Sequence, residues 1–146
     1  MLPADELYMR EALEQAEMAG QKGEIPVGTV IVSGNRVIAR GANQTQQLND
    51  VTAHAEMLAI TAAAHYLGGK YLNQCTLYVT LEPCPMCAGA LYWAQVGRIV
   101  YGAKDEKRGY SVISPQLLHP KTQVTGGVLS EECAFLLARF FQKLRN

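Results

Sequence analysis

The segment Glu82-Pro83-Cys84-Pro85-Met86-Cys87 constrains this chain more than any other. Two cysteines with two residues between them can bring both sulfurs to one metal ion, and the flanking prolines fix the backbone that carries them. Pro85 suits the first position of a helix, where its missing N–H has no partner to lose. The run Met86, Ala88, Ala90, Leu91, Trp93 and Ala94, interrupted only by Gly89, continues as a buried helix. Both thiolates then lie at a helix N-terminus, where the macrodipole favours negative charge and lowers a thiol pKa. Thirty residues before Cys84 stands His54, followed by Ala55 and Glu56, so an imidazole and a carboxylate are also on offer. Three protein ligands (His54, Cys84 and Cys87) with an open fourth position are the coordination of a catalytic zinc rather than a structural one.

A chain of 146 residues, 49% hydrophobic, has room for one full core, so residues 1–146 are expected to form a single domain. No apolar run reaches the length of a membrane span, and Met1-Leu2-Pro3-Ala4-Asp5-Glu6 lacks the basic and apolar regions of a signal peptide. The expected location is the cytoplasm, with no membrane partner. There, cysteines are metal ligands or buried thiols rather than disulfides, and Cys75 and Cys133 are expected in the core. The net charge of zero hides an asymmetry: residues 1–97 carry five Lys/Arg against nine Asp/Glu, and residues 98–146 carry eight against four. A basic C-terminal half can track a polyanion, although any single charge in it reads equally as a solvated helix face.

Apolar residues at helical spacing predict a first helix from Asp5 to about Lys22. Ile25–Val32 and Arg36–Arg40, separated by Ser33-Gly34-Asn35, read as a β-hairpin. Asn43–Asp50 is a polar loop, and a second helix is expected from about Ala53 to His65, capped by Asp50 or Thr52 and closed by Gly68-Gly69. Residues two apart on a regular helix point to nearly opposite sides, so His54 and Glu56 share a site only if His54 lies at the helix entrance. Strands follow at Cys75–Thr80 and Arg98–Gly102, residues 103–121 are irregular, and Thr122–Leu129 is a weak strand broken by Gly126-Gly127. Ser130-Glu131-Glu132 is expected to cap a last helix. Strands alternating with helices imply an α/β fold with a partly parallel sheet and helices on both faces.

Zinc on one imidazole and two thiolates can acidify a water in the open position, and a carboxylate beside it can shuttle protons. Glu56 would take the water's proton, pass it to a ring nitrogen, and assist an amine to leave as ammonia. The pattern H-x-E followed by P-C-x-x-C, with a glutamate that is not a ligand, is that of the zinc deaminases. Taken singly the elements are weaker: redox motifs and structural zinc knuckles share Cys-x-x-Cys, and Glu82 could merely pair with a nearby base. A structural zinc would need a fourth ligand from His65, His119, Cys75 or Cys133, none of which lies at motif spacing.

Thr52-Ala53-His54-Ala55-Glu56 and Leu77–Cys84 resemble the cytidine-deaminase-like superfamily. With Ile25-Pro26-Val27-Gly28, Gly41-Ala42-Asn43, Cys87–Ala90, Gly97–Ala103 and the tail from Gly127 to Phe141, they are similar to the bacterial tRNA-specific adenosine deaminases. That resemblance implies a three-layer fold with a mixed five-stranded sheet between helices, one zinc ion per subunit, and a homodimer whose partner helps shape an RNA groove. The implied reaction is conversion of the wobble adenosine to inosine in a tRNA anticodon stem-loop. By motif position Asn43 would hydrogen-bond the flipped base, the Ala55 N–H and Glu56 would meet its Watson–Crick edge, and Ile25, Val27 and Leu81 would wall the pocket. Asp105 and Lys107 fall where the family approaches the flanking nucleotides. The run from Glu82 to Cys87, continuing through Leu91-Tyr92-Trp93-Ala94, is also similar to bacterial guanine deaminase, so a free-base or nucleoside deaminase of guanine or cytosine type is the second reading.

Overall fold

Gly34 (φ 57°) and Asn35 (φ 61°) are both left-handed, the pairing a tight hairpin needs, and they join the strands β1 (Gly28–Ser33) and β2 (Arg36–Ala42). In the computed structural model, which describes residues 1–146, a helix α1 (Asp5–Gln21) precedes this hairpin. It is followed by α2 (Ala55–Leu67), β3 (Thr76–Leu81), α3 (Pro85–Ala94) and β4 (Arg98–Ala103). A short helix α4 (Tyr110–Ile113), a 3-10 turn (Pro115–Leu117), β5 (Gln123–Thr125) and α5 (Ser130–Arg145) complete the chain.

The strands form one mixed sheet in the order β2-β1-β3-β4-β5, with β1 antiparallel to both its neighbours and β3, β4 and β5 mutually parallel. Alternation along the strands sends side chains to two cores. Ile31, Leu77, Val79 and Ile99 pack with Ala59 and Ala63 of α2 and Ala88 and Leu91 of α3. Val30, Val32, Tyr78 and Val100 pack on the other face with Met9 and Ala12 of α1 and Cys133 of α5. The three-layer, mixed five-stranded architecture is therefore as expected, and Cys75 and Cys133 are buried thiols in the two cores. No helix is long and apolar enough to cross a membrane.

Three local expectations are corrected. Asp50 and Thr52 do not cap α2: the Asp50 carboxylate accepts from the Thr52 N–H and hydroxyl at 2.8 Å, closing a turn upstream, and His54 is itself the extended residue preceding α2. Ser130 is the first residue of α5 and makes no capping bond, the left-handed Leu129 preceding it. Residues 103–121 are less irregular than read, since they contain α4 and the 3-10 turn.

A buried ion pair ties the start of α1 to the sheet. Asp5, fully buried, accepts two bonds from Arg98 at 2.8 and 2.7 Å and one from the Tyr78 hydroxyl at 2.8 Å. Burial alone would raise the Asp5 carboxyl; the bonds from Arg98, the Leu2 N–H and Tyr78 outweigh it and hold the group at about 2, below its ordinary 3.8. A carboxyl lowered on folding stabilises the native state above its unfolded value, and that contribution, about 2 kcal/mol, is lost as pH falls from near 4 through 2. Asp5→Ala leaves the partly buried Arg98 with only the Thr125 hydroxyl as acceptor and should cost about 3 kcal/mol at pH 7. Urea unfolding of both proteins at pH 7 and at low pH checks this. The gap should narrow in acid, and equal midpoints at pH 7 would contradict it.

Candidate active site

The sheet topology gathers the site at one edge. Parallel β3 and β4 deliver Glu82–Cys84 and Lys104–Arg108 from their C-terminal ends. Antiparallel β1 begins at that edge, just after Ile25 and Val27, and β2 ends there at Ala42, just before Asn43. Loops beyond strand ends are where open α/β sheets hold their ligands. Gly41 in β2 lies against the Ala55 carbonyl so closely that a Cβ would overlap it, which lets the entrance of α2 reach the sheet.

His54 and Cys84 each stand immediately before a helix with extended backbone (ψ 153° and 169°), and Cys87 is the third residue of α3, after Pro85. The positive ends of two helices thus point at the thiols and Glu56, which favours anions between them. His54 Nδ1 lies 3.7 Å from Cys84 Sγ and 3.5 Å from Cys87 Sγ, and the three donor atoms all fall within 4.8 Å of one another. A tetrahedral zinc separates an imidazole nitrogen from a thiolate sulfur by about 3.6 Å, so this donor set fits zinc without rearrangement. No further His, Cys, Asp or Glu joins the group, which leaves a fourth position for water or substrate.

The electrostatics agree with that use. A hydrogen bond from the Cys87 thiol, then one with His54, holds Cys84 down to about 4 despite its burial. The same bond to Cys84 and burial push Cys87 up, while the bond to Cys84 raises His54. Metal uptake must therefore displace the Cys87 proton, and affinity falls as pH falls. Glu56, only 4% exposed, is pushed up to about 7, first by burial and further by the Cys84 charge. A carboxyl poised there both accepts and returns a proton at neutral pH.

These residues open into a cavity of about 730 Å³. Its lining includes His54, Cys84 and Glu56 together with all seven residues expected to meet substrate: Ile25, Val27, Asn43, Ala55, Leu81, Asp105 and Lys107. Cys87 lies beneath, fully buried. Asn43 donates to the Ile25 carbonyl at 3.2 Å, and its Oδ1 is buried without a partner, an acceptor free for a ligand N–H. Asp105 uses one oxygen to accept from the Lys107 and Arg108 N–H groups at 3.1 and 2.9 Å, shaping its own loop.

Sequence reasoning missed several participants. Leu137 and Phe141 of α5 line the cavity, although the apolar stripe of α5 reads only as core. Glu82 pairs with no base: its buried carboxylate accepts from Asp105 and Ser111. Glu24, fully buried, accepts from the Gln46 and Gln47 N–H groups at 3.0 and 2.8 Å and holds the loop after Asn43. Neither arrangement has a signature, because the backbone N–H groups that supply most of these bonds leave no trace in residue type.

Residues 2–103 match the family model of the cytidine and deoxycytidylate deaminase zinc-binding region. The chain is 45% identical over 147 residues to the tRNA-specific adenosine deaminase of Bacillus subtilis, covering 97% of this chain and 91% of that protein. It is 41% identical to the tRNA-specific adenosine deaminase of Aquifex aeolicus, covering 97% and 96%. Among solved structures, one from a study of A-to-I editing by tRNA:A34 deaminases at the wobble position superposes with a TM-score of 0.83 at 43% identity, over 90% of this chain and 99% of that one. The guanine deaminase of Bacillus subtilis superposes less closely, with a TM-score of 0.67 at 38% identity over 79% of this chain and 71% of that one. With one histidine and two cysteines at zinc-binding separation and a glutamate beside them, the chain belongs to the zinc-dependent cytidine and deoxycytidylate deaminase family, in the branch of the tRNA-specific adenosine deaminases.

Proposed function

We propose that this protein is a zinc-dependent hydrolytic deaminase that converts the wobble adenosine of a tRNA anticodon loop to inosine and releases ammonia. The observation that carries it is Glu56, buried in the cavity that His54 and Cys84 line, beside three donor atoms (of His54, Cys84 and Cys87) at zinc-binding separation. The near full-length likeness to tRNA-specific adenosine deaminases favours RNA over a free base as substrate.

Zinc held by His54, Cys84 and Cys87 would supply a water acidic enough to react at neutral pH. Glu56 would take one proton from the attacking water and deliver it to the adenine ring nitrogen beside the attacked carbon. As the carbon–oxygen bond forms, Glu56 would pass the water's second proton to the exocyclic amine, whose carbon–nitrogen bond then breaks to leave a carbonyl and ammonia. Asn43 Oδ1 accepts from the base and the Ala55 N–H, unpaired within its helix as the first residue, donates to it. Ile25, Val27 and Leu81 provide apolar walls, and Asp105 and Lys107 meet the flanking nucleotides. The base must leave its stack to enter such a cavity, and an unpaired anticodon loop lowers that cost.

The protein acts, in this reading, as a cytoplasmic homodimer with one zinc per chain. Met86 and Trp93, seven residues apart on one face of α3 and 37% and 77% exposed, support a second copy packing there. The reaction is tested with an anticodon stem-loop RNA bearing a wobble adenosine, incubated with the zinc-loaded protein in ¹⁸O-labelled water. The expected product is inosine carrying the heavy oxygen, with ammonia in equal amount. Inosine without the label would rule out hydrolysis.

A further inference from the structure

The stretch Glu82-Pro83 does more than lead into the metal-binding cysteine. Its carboxylate, 2% exposed, accepts from the Asp105 N–H at 3.1 Å through one oxygen. The other oxygen accepts from the Ser111 N–H at 3.1 Å and the Ser111 hydroxyl at 2.6 Å. On the backbone, the Glu82 N–H donates to the Ala103 carbonyl and the Tyr110 N–H donates to the Pro83 carbonyl, both at 2.8 Å. The segment from Ala103 to Ser111 is thereby tied at both ends to the two residues preceding Cys84. Gly109 packs onto the carboxylate so closely that a Cβ there would overlap Glu82.

Between those ties the loop presents Lys104, Lys107 and Arg108, all exposed, all lining the cavity, and none ion-paired with an acidic side chain. A loop of this length would ordinarily wander, and flexible cations pay an ordering cost before they can neutralise a phosphate. A buried carboxylate that spends its acceptor capacity on loop donors removes that cost in advance. We propose that Glu82 is a positioning residue that holds the Lys104–Arg108 lip in register with the metal loop, so that its cations meet the phosphates of an RNA strand as the base enters the cavity. This rests on the RNA reading of the site. Glu82 touches no reacting atom; it acts through the loop.

The test compares wild type with Glu82→Gln, Gly109→Ala and Ser111→Ala, each zinc-loaded. Gln keeps the size of Glu82 but turns an amide donor towards loop donors; Gly109→Ala displaces the carboxylate from the opposite side. Two readouts are taken: hydrogen exchange at the Asp105 and Ser111 amides, and the affinity for the anticodon stem-loop across a salt series. The proposal expects faster exchange at both amides in Glu82→Gln and Gly109→Ala, with a smaller change in Ser111→Ala. It also expects stem-loop binding to weaken about 10-fold at low salt and the slope of log affinity against log salt to flatten by roughly 1, since each lost phosphate contact removes about 0.7 to 0.9 of slope. KM should rise by more than kcat falls. A merely structural role would lower stability and leave the salt slope unchanged, and an unchanged slope with the wild type binding normally overturns the proposal alone. If Glu82→Gln fails to fold or to hold zinc, Gly109→Ala decides by the same criteria. Absence of salt-dependent binding by the wild type would instead overturn the RNA reading, while hydrogen exchange would still show whether Glu82 holds the loop.

Discussion

Glu56→Ala should keep its zinc and lose turnover by about 10³-fold, or ~4 kcal/mol of transition-state stabilisation. Zinc is retained because His54, Cys84 and Cys87 supply the donor set without Glu56. Turnover falls because no other carboxylate lining the cavity is buried and free as Glu56 is: Glu82 is engaged with Asp105 and Ser111, Asp105 holds its own loop, and Glu106 stands exposed on that loop. The protein should not lose stability, since burial already disfavours the ionised carboxyl at this position. Metal analysis, a thermal midpoint and a single-turnover rate on the same preparation separate the three effects. Activity within a few-fold of wild type would remove Glu56 as the proton shuttle.

Cys87→Ser should lose both metal and activity. Cys87 is fully buried, with its sulfur 3.5 Å from His54 Nδ1, and a serine hydroxyl does not ionise as a thiol does to bind zinc. Two remaining ligands cannot complete the protein's part of a catalytic site, so zinc should be stripped by mild chelation and turnover should fall to background. Cys75→Ser and Cys133→Ser are the controls: both thiols are buried in the cores, outside the metal-binding group, and both variants should retain zinc. Zinc content unchanged in Cys87→Ser would remove this cysteine from the ligand set.

Some of this site is legible from the chain because its chemistry restricts geometry. His54 and Glu56, two apart, can face one cavity only if the histidine stands outside the helix, and that is where the structure has it. Pro85 between two cysteines marks a helix start, and α3 begins there. The hairpin is legible because Gly34-Asn35 tolerates two left-handed residues in succession. Other features leave no pattern. Glu24 and Glu82 look like ordinary acids, since most of their partners are backbone N–H groups, and the hydroxyls of Thr45 and Ser111 that join them lie 21 and 29 residues away at no motif spacing. The four residues of α4 are too few to show a helical period, although Tyr110 is buried in the core. The Asp50 turn misleads in the same way: its side chain satisfies a local N–H two residues on, which competes with capping the helix that follows. Ile25, Val27 and Asn43 have no local signature of a site and enter through resemblance to the deaminases; the sheet topology then explains why they reach the same edge as Cys84.

The most direct measurement offers the zinc-loaded protein two substrates separately, an anticodon stem-loop with adenosine at the wobble position and free guanine, and identifies the products. The account predicts inosine in the RNA and guanine unchanged. Xanthine from guanine with the RNA untouched would contradict it, leaving the zinc chemistry of His54, Cys84, Cys87 and Glu56 in place but assigning it to a free base.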